Sequence, residues 1–227
     1  HPSREAIIVC EYGEIYMINK IKGNTEILPT DEDIIIGTLM DNLSQDDFET
    51  YLKNENRLFV HDALNKRRYV LYSAYKFKPG SRILEINAGF GNLTEILLHN
   101  DNYVVAIEQS KFRANYIEKR NEGTRRLEVV TGDMLRILLD SDEFKQFSNQ
   151  YGKSFDYIIA DSFITYMSSK ALSEKSMKKV IKRLRKLLSC DGRLIVADKS
   201  FSVSDFIDES EIKYYFPFPS HLYTEEL

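Results

Sequence analysis

The sequence predicts an α/β fold, with a mostly parallel sheet, helices on both faces, and a small β-rich and helical N-terminal extension. Three observations predict it. From Ser81 onward, short apolar runs alternate with amphipathic stretches. The alternation repeats through five strand–helix units, which calls for parallel pairing with helical crossovers. The stretch 174–188 places Met177, Val180, Ile181, Leu184, Leu187 and Leu188 on one helical stripe with charges opposite.

In chain order, the first forty residues read as strands. Residues 6–10 are an apolar run, 14–18 follow Gly13, and a turn at Lys22-Gly23-Asn24 leads into 25–28, as in a β-meander. Ser44, followed by acidic residues and then Phe48, Tyr51 and Leu52, reads as the cap of a short helix. A second helix is expected over 64–75, stopped by Pro79-Gly80. The main pattern then begins. Strands are expected at 82–86, 103–107, 127–130, 155–160 and 193–197. Helices are expected from Asn92 to about His99, from a Ser110 cap to about Arg120, from near Met134, and over 174–188. The expected division is an extension over 1–60 and a main domain over 61–227.

Bulk properties exclude several classes. A chain of 227 residues with 43% apolar and 29% charged residues is an ordinary globular composition. It can bury roughly 70–75% of its unfolded surface without a disulfide scaffold. Cys10 and Cys190 are its two cysteines, as expected in a reducing compartment. No apolar run approaches a membrane span and no signal-peptide pattern is present, so the expectation is a soluble, cytoplasmic protein with homo-oligomer formation left open. The chain opens at His1-Pro2, as expected of a truncated or processed start. A net charge of −4 argues against wholesale attraction to nucleic acid, although not against a local basic patch.

In sheets of this kind ligands bind beyond the carboxyl ends of the strands. After the first strand the sequence reads Glu85-Ile86-Asn87-Ala88-Gly89-Phe90-Gly91, whose small residues let backbone approach a ligand. The second strand ends at Glu108, followed by Gln109. A carboxylate there can accept from both hydroxyls of a ribose. The third runs into Gly132-Asp133-Met134, where an Asp can accept from an adenine amino group and a Met can pack on the ring. The fourth ends at Asp161. Gly-x-Gly alone occurs in many turns, and strand-ending acids are often merely solvated. The argument is that acids and glycines recur at the same edge of successive units. The spacing also departs from the Gly-x-Gly-x-x-Gly of dinucleotide dehydrogenases.

Over about 79–197, the ordered segments ILEINAGFG, VVAIE, VVTGDM, FDYIIAD and LLSCDGRLIVAD resemble the class I, Rossmann-like methyltransferases that use S-adenosylmethionine (SAM). The resemblance implies that Glu85, Gly89 and Gly91 surround the methionine portion, that Glu108 holds the ribose and that Asp133 reads the adenine. Asn87, Ala88, Gln109, Met134 and Asp161 are expected among the cofactor-binding residues, Asp161 close to the reacting end. The family usually has Gly where this chain has Asn87. Asn tolerates left-handed backbone, so the turn can survive; the alternative is a degenerate, non-catalytic module.

LTEILL and GDML resemble the rRNA adenine dimethylases, but Asp161-Ser162-Phe163 lacks their Asn-x-Pro-Tyr-like motif, which counts against a base-amine acceptor. Asp161 and Asp198 resemble two ligand positions of cation-dependent O-methyltransferases, but Lys199 stands where the third ligand would be, and no metal is expected. The segments LNKRRYVLYSAYKFKPGSRILEI, IEQSKFRANYIEKRN and KYYFPFP resemble methyltransferase domains of bacterial surface-glycan loci. That implies a sugar, glycan or related small-molecule acceptor, O-methylation, and no specific nucleic acid partner. Asp161 and then Tyr166 are the base candidates. The family adds further elements after the fifth strand, for which the roughly thirty residues after Ala197 leave little room. The lysines and arginines of 174–188 read as a solvated face or an RNA-binding surface. His61-Asp62 is a candidate for lining the site, and the aromatics of 214–219 are read as an edge strand or a pocket wall.

Overall fold

The computed structural model describes residues 27–65, Tyr72, 75–198 and 215–217. The expected β-meander, most of the helix expected over 64–75, Lys199 and the side chains of 214–219 lie outside the described residues.

Three helices come first: α1 (Asp31–Asn42), α2 (Gln45–Leu52) and α3 (Leu58–Leu64). The first corrects the reading of the opening forty residues as strands. Ile34-Ile35-Ile36 is β-branched, yet it lies on a helix because Thr30 and Asp33 form a reciprocal capping box and Asp31, Glu32 and Asp33 fill the first turn. Ser44 caps α2 by accepting from the Asp47 amide, as its position suggested.

Strand–helix alternation follows: β1 (Arg82–Ile86), α4 (Asn92–Leu97), β2 (Tyr103–Glu108), α5 (Lys111–Arg120), β3 (Leu127–Thr131), α6 (Met134–Leu139), α7 (Ser141–Tyr151), β4 (Phe155–Asp161), α8 (Phe163–Ser169), α9 (Glu174–Leu187), β5 (Leu188–Asp198) and β6 (Tyr215–Pro217). The helical stretch after β3 is two helices because the Asp140 side chain accepts from the Asp142 and Glu143 amides and starts a new one. β5 begins before Asp191-Gly192, with an irregularity in its register on β4 between Phe155 and Tyr157.

The sheet order is β3-β2-β1-β4-β5-β6, parallel at every pair. β6 is an edge strand. Alternate strand residues serve opposite faces. Leu84, Ile86, Val105, Ile107 and Ile158 pack under α6, α7, α8 and α9. Ile83, Val104, Ala106, Tyr157 and Ile159 pack against Leu93, Leu97 and Ile117 of α4 and α5.

The N-terminal helices build a third apolar cluster with the core. Ile36, Leu52, Val60 and Leu64 surround Phe90 of the loop after β1, with Phe112 and Tyr116 of α5 against them. Close approach of α1 to α5 depends on Gly37, where an added Cβ would stand 2.6 Å from the Tyr116 hydroxyl and 2.8 Å from Phe112 Cζ.

Candidate functional site

The sheet reverses direction of growth at β1, whose neighbours β2 and β4 lead to opposite edges. A doubly wound sheet opens a crevice beyond the carboxyl ends of its strands at such a point. A cleft of about 520 Å³ occupies it, lined by the ends of β1, β2 and β4, by α8, and by Glu32, Asp33 and Ile36 of α1 and Phe59, Asp62 and Ala63 of α3. Of the residues singled out from sequence, it brings together Glu85, Asn87, Ala88, Gly89, Glu108, Gln109, Asp161 and Tyr166.

The loop after β1 is held in left-handed backbone at alternate positions, with φ of 59° at Asn87, 58° at Gly89 and 83° at Gly91. Asn is among the few side-chain-bearing residues that adopt this conformation readily, so the turn keeps its shape with Asn87 in place of Gly. Gly91 does not line the cleft. It lies beneath the loop, where a Cβ would meet the Ile117 backbone at 3.3 Å. Asn92 ties the loop to its surroundings, donating to the Ala63 carbonyl and accepting from Arg120 Nη1.

Glu85 is 2% exposed and accepts from the Thr94 hydroxyl at 2.6 Å. Burial pushes its carboxyl up to about 8. The Thr94 bond works against that shift, and the charges of Asp161 and Glu108 add to it.

Glu108, also 2% exposed, is heavily engaged. Its Oε1 accepts from the Ser110 amide at 2.9 Å and from Arg113 Nε and Nη2 at 2.9 and 2.6 Å, while Oε2 accepts from the Gly89 amide at 2.9 Å. Arg113 also reaches Asp33 of α1 at 3.4 Å. The strand-end acid, the glycine loop, α5 and the N-terminal helices thus meet in one ionic network. Arg113 and Asp33 were not singled out from sequence. Their pairing spans 80 residues, and nothing local in the sequence marks it.

At the end of β4, Asp161 accepts from the Tyr72 hydroxyl at 3.3 Å and from the Ser162 hydroxyl at 2.9 Å. Tyr166 stands across the cleft on α8. Burial, and then the charge of nearby Asp133, push its hydroxyl well above the usual tyrosine range, so it keeps its proton and acts as a donor.

Asp133 and Met134 do not line the cleft. Asp133 Oδ1 caps α6, accepting from the Leu135 and Arg136 amides at 2.9 and 3.4 Å. Met134 is 1% exposed within the core under β1 and β2. Of the His61-Asp62 pair, Asp62 lines the cleft, whereas His61 is buried with Nε2 on the Glu55 carbonyl at 2.7 Å. Among the described residues no group of three or more His, Cys, Asp or Glu side chains is placed to hold a metal ion, and no helix is long and apolar enough to cross a membrane.

The basic helix α9 has a partly structural use. Lys179 donates to the Leu139 carbonyl, and Arg183 donates to the carbonyls of Leu138 and Asp140, closing the C-terminal end of α6.

Residues 84–194 match a family model described as a methyltransferase domain. The ribosomal RNA small subunit methyltransferase A of Cutibacterium acnes is 37% identical over 90 residues, covering 37% of this chain and 30% of that protein. A probable ribosomal RNA small subunit methyltransferase A of Methanosarcina mazei is 32% identical over 74 residues, covering 33% of this chain and 27% of that protein. This chain therefore spans less than a third of the length of these relatives. Among solved structures, phosphoethanolamine N-methyltransferase 1 of Haemonchus contortus, in complex with phosphoethanolamine and S-adenosylhomocysteine, superposes with a TM-score of 0.50. The identity is 16%, covering 76% of this chain and 33% of that one. With the sheet order and the placement of the cleft, these matches show that the chain has the Rossmann-like fold of the class I, SAM-dependent methyltransferases, with residues 84–194 similar to a methyltransferase domain.

Proposed function

We propose that this chain binds SAM in the cleft and transfers its methyl group to a hydroxyl of a small-molecule or glycan-type acceptor. The observation that carries the reading is the convergence, on one cleft, of the left-handed loop 87–91 with the buried carboxyl groups of Glu85 and Glu108 and with Asp161. The donor set fits the cofactor. Among the described lining residues, Glu32, Asp33, Asp62, Glu108 and Asp161 outnumber Arg113, which suits a ligand bearing an ammonium and a sulfonium. Glu108 Oε2, with one bond to Gly89, retains capacity to accept from a ribose hydroxyl.

When bound, SAM supplies an electrophilic methyl group on sulfur. The protein's own part is to hold the acceptor oxygen in line with it and to take up a proton. Asp161 fits the second task. It lines the cleft and is oriented by Tyr72 and Ser162, and an ionised carboxylate has about four lone-pair sites with which to accept a further hydroxyl proton. Tyr166, which keeps its proton, is a donor. The stretch Asp161-Ser162-Phe163 at the end of β4, which lacks an Asn-x-Pro-Tyr-like motif, supports a hydroxyl over a base amine.

A second reading, methylation of RNA, is favoured by the curated relatives, both named as ribosomal RNA methyltransferases. Calorimetry with SAM and S-adenosylhomocysteine tests the cofactor. Transfer of a tritiated methyl group to sugars and small hydroxylated acceptors, with RNA in parallel, tests the acceptor. Label in RNA at physiological salt would replace the first reading with the second. A folded chain that binds neither nucleoside would be a scaffold.

A further inference from the structure

One strongly charged surface lies outside the cleft. Helix α9 carries seven lysines and arginines against one glutamate, in a chain whose net charge is −4. Its apolar residues Met177, Val180, Ile181, Leu184 and Leu187 are buried, so the basic residues occupy the opposite side. Lys179 and Arg183 are turned to the carbonyls that end α6. Lys178 pairs with Glu174 at 2.5 Å. Lys175, Lys182 and Lys186 are exposed and make no hydrogen bond or ion pair among the described residues. With Lys178 they recur every three or four residues, which sets neighbouring Cβ atoms roughly 5–6 Å apart in a row of roughly 16 Å.

The row starts beside the cleft. Ser169, the last residue of α8, lines it. Lys170 follows, exposed, with its Nζ 5.1 Å from the centre of the Tyr166 ring. Lys175 stands in the first turn of α9, and the five residues between span at most roughly 18 Å. The cleft has the opposite sign, with Glu32, Asp33, Asp62 and Asp161 in its lining. Its wall repels an anion, and the lysine row attracts one. Together the two fields sort an elongated ligand, with an uncharged end in the cleft and an anionic body on α9.

The composition of the row narrows the partner. A helix that lies on a membrane dips its apolar face into the lipid, but that face of α9 is in the core. Proteins that grip single-stranded nucleic acid set aromatic rings among the cations, and the exposed side of α9 has none. A glycan with acidic groups along its length answers both fields, because its end supplies a neutral hydroxyl and its body supplies repeated charge.

We propose that Lys170, Lys175, Lys178, Lys182 and Lys186 form a docking track for an anionic glycan chain, whose uncharged terminal sugar presents its hydroxyl to the cleft. This rests on the acceptor reading above and narrows it to the end of a polymer rather than a free sugar.

The test measures binding of polygalacturonate, an anionic glycan, over a range of salt. Dextran serves as the uncharged glycan. Poly(U) and vesicles of phosphatidylcholine and phosphatidylserine in equal parts are run in parallel. The wild type should bind polygalacturonate and not dextran. Changing Lys175→Gln, Lys182→Gln and Lys186→Gln together should weaken binding at least about tenfold and reduce the slope of log K against log salt by about 2. The same three positions changed to Arg should bind as the wild type does. Lys53→Gln, Lys76→Gln and Lys153→Gln together make the same change of net charge elsewhere on the surface, and should stay within about threefold. Melting temperature and affinity for S-adenosylhomocysteine should be the same in all four proteins. Equal binding by the wild type and the α9 variant, or an equal loss in the two Gln variants, overturns the track. Tighter binding of poly(U) or of vesicles than of polygalacturonate at equal charge overturns the glycan as its occupant. A chain that binds polygalacturonate through α9 but not S-adenosylhomocysteine overturns the cofactor reading and leaves the track standing.

Discussion

Glu85 gives the most exacting test of the site, because its protonation is tied to folding. The carboxyl is enclosed at the end of β1 with one hydrogen bond, from Thr94, and is pushed from an ordinary 4.5 up to about 8, first by burial. The folded state therefore holds this proton more tightly than the unfolded chain. Below 4.5 both states are protonated and the group costs nothing. Between 4.5 and about 8 the unfolded chain has released a proton that the folded state keeps, so stability falls as pH rises; above about 8 the loss levels off. The steepest slope for one group is about 1.4 kcal/mol per pH unit, and the whole shift corresponds to a loss on the order of 5 kcal/mol. For a chain of this size that slope moves the melting temperature by about 3–5 °C per pH unit. Glu85→Gln removes the titration, and its amide oxygen can still accept from Thr94. Scanning calorimetry of both proteins from pH 5 to 8.5 should show the variant gaining on the wild type with each unit across this window. Parallel curves would refute the burial argument.

Three further outcomes follow from other contacts. Gly37→Ala should lower stability by about 1–2 kcal/mol, overpacking against Tyr116 and Phe112 outweighing the better helix propensity of Ala, as read by melting temperature. Arg183→Ala should cost about 1–2 kcal/mol in denaturant titrations by uncovering the carbonyls of Leu138 and Asp140, with no change in methyl transfer to a small acceptor. Glu108→Ala should weaken SAM at least about tenfold by calorimetry, and it should also lower melting temperature because the Gly89 and Ser110 amides and Arg113 lose their acceptor.

What could be read from sequence follows from how local each cause is. β1 to β4 could be placed to within about a residue, because each is a compact apolar run closed by a polar residue or turn. α9 and α5 could be read from an apolar stripe and a Ser110 cap. The left-handed turn at Asn87 was foreseeable from the few residue types that accept that conformation. α1 was missed because three consecutive isoleucines favour a strand by propensity, whereas the deciding signal is the pair Thr30 and Asp33 just before them. Asp133 and Met134 occupy the strand-end positions that the pattern marks, but how a side chain is used there depends on the helix that starts behind it. In this chain the cap of α6 takes the carboxylate, and the core takes the thioether.

The largest part of the site hidden from sequence is contributed by the N-terminal helices. The matched family segment begins at residue 84, yet the cleft has a wall made of Glu32, Asp33, Ile36, Phe59, Asp62 and Ala63. Those helices are anchored to the loop after β1 itself. Phe90 inserts among Ile36, Leu52, Val60 and Leu64, and Asn92 donates to the Ala63 carbonyl. The Asp33–Arg113–Glu108 chain then carries the same connection to the strand-end acid. Apolar packing fixes the distance between the helices and the loop, and the ionic chain orients the Glu108 carboxylate at the cleft. A substitution in α1 that lifts it from α5, as Gly37→Ala would, therefore acts on the loop and on Glu108 together. Helices α1 and α3 then belong to the wall of the cleft as fully as the strand ends do, although of their lining residues only Asp62 could be picked out from the sequence.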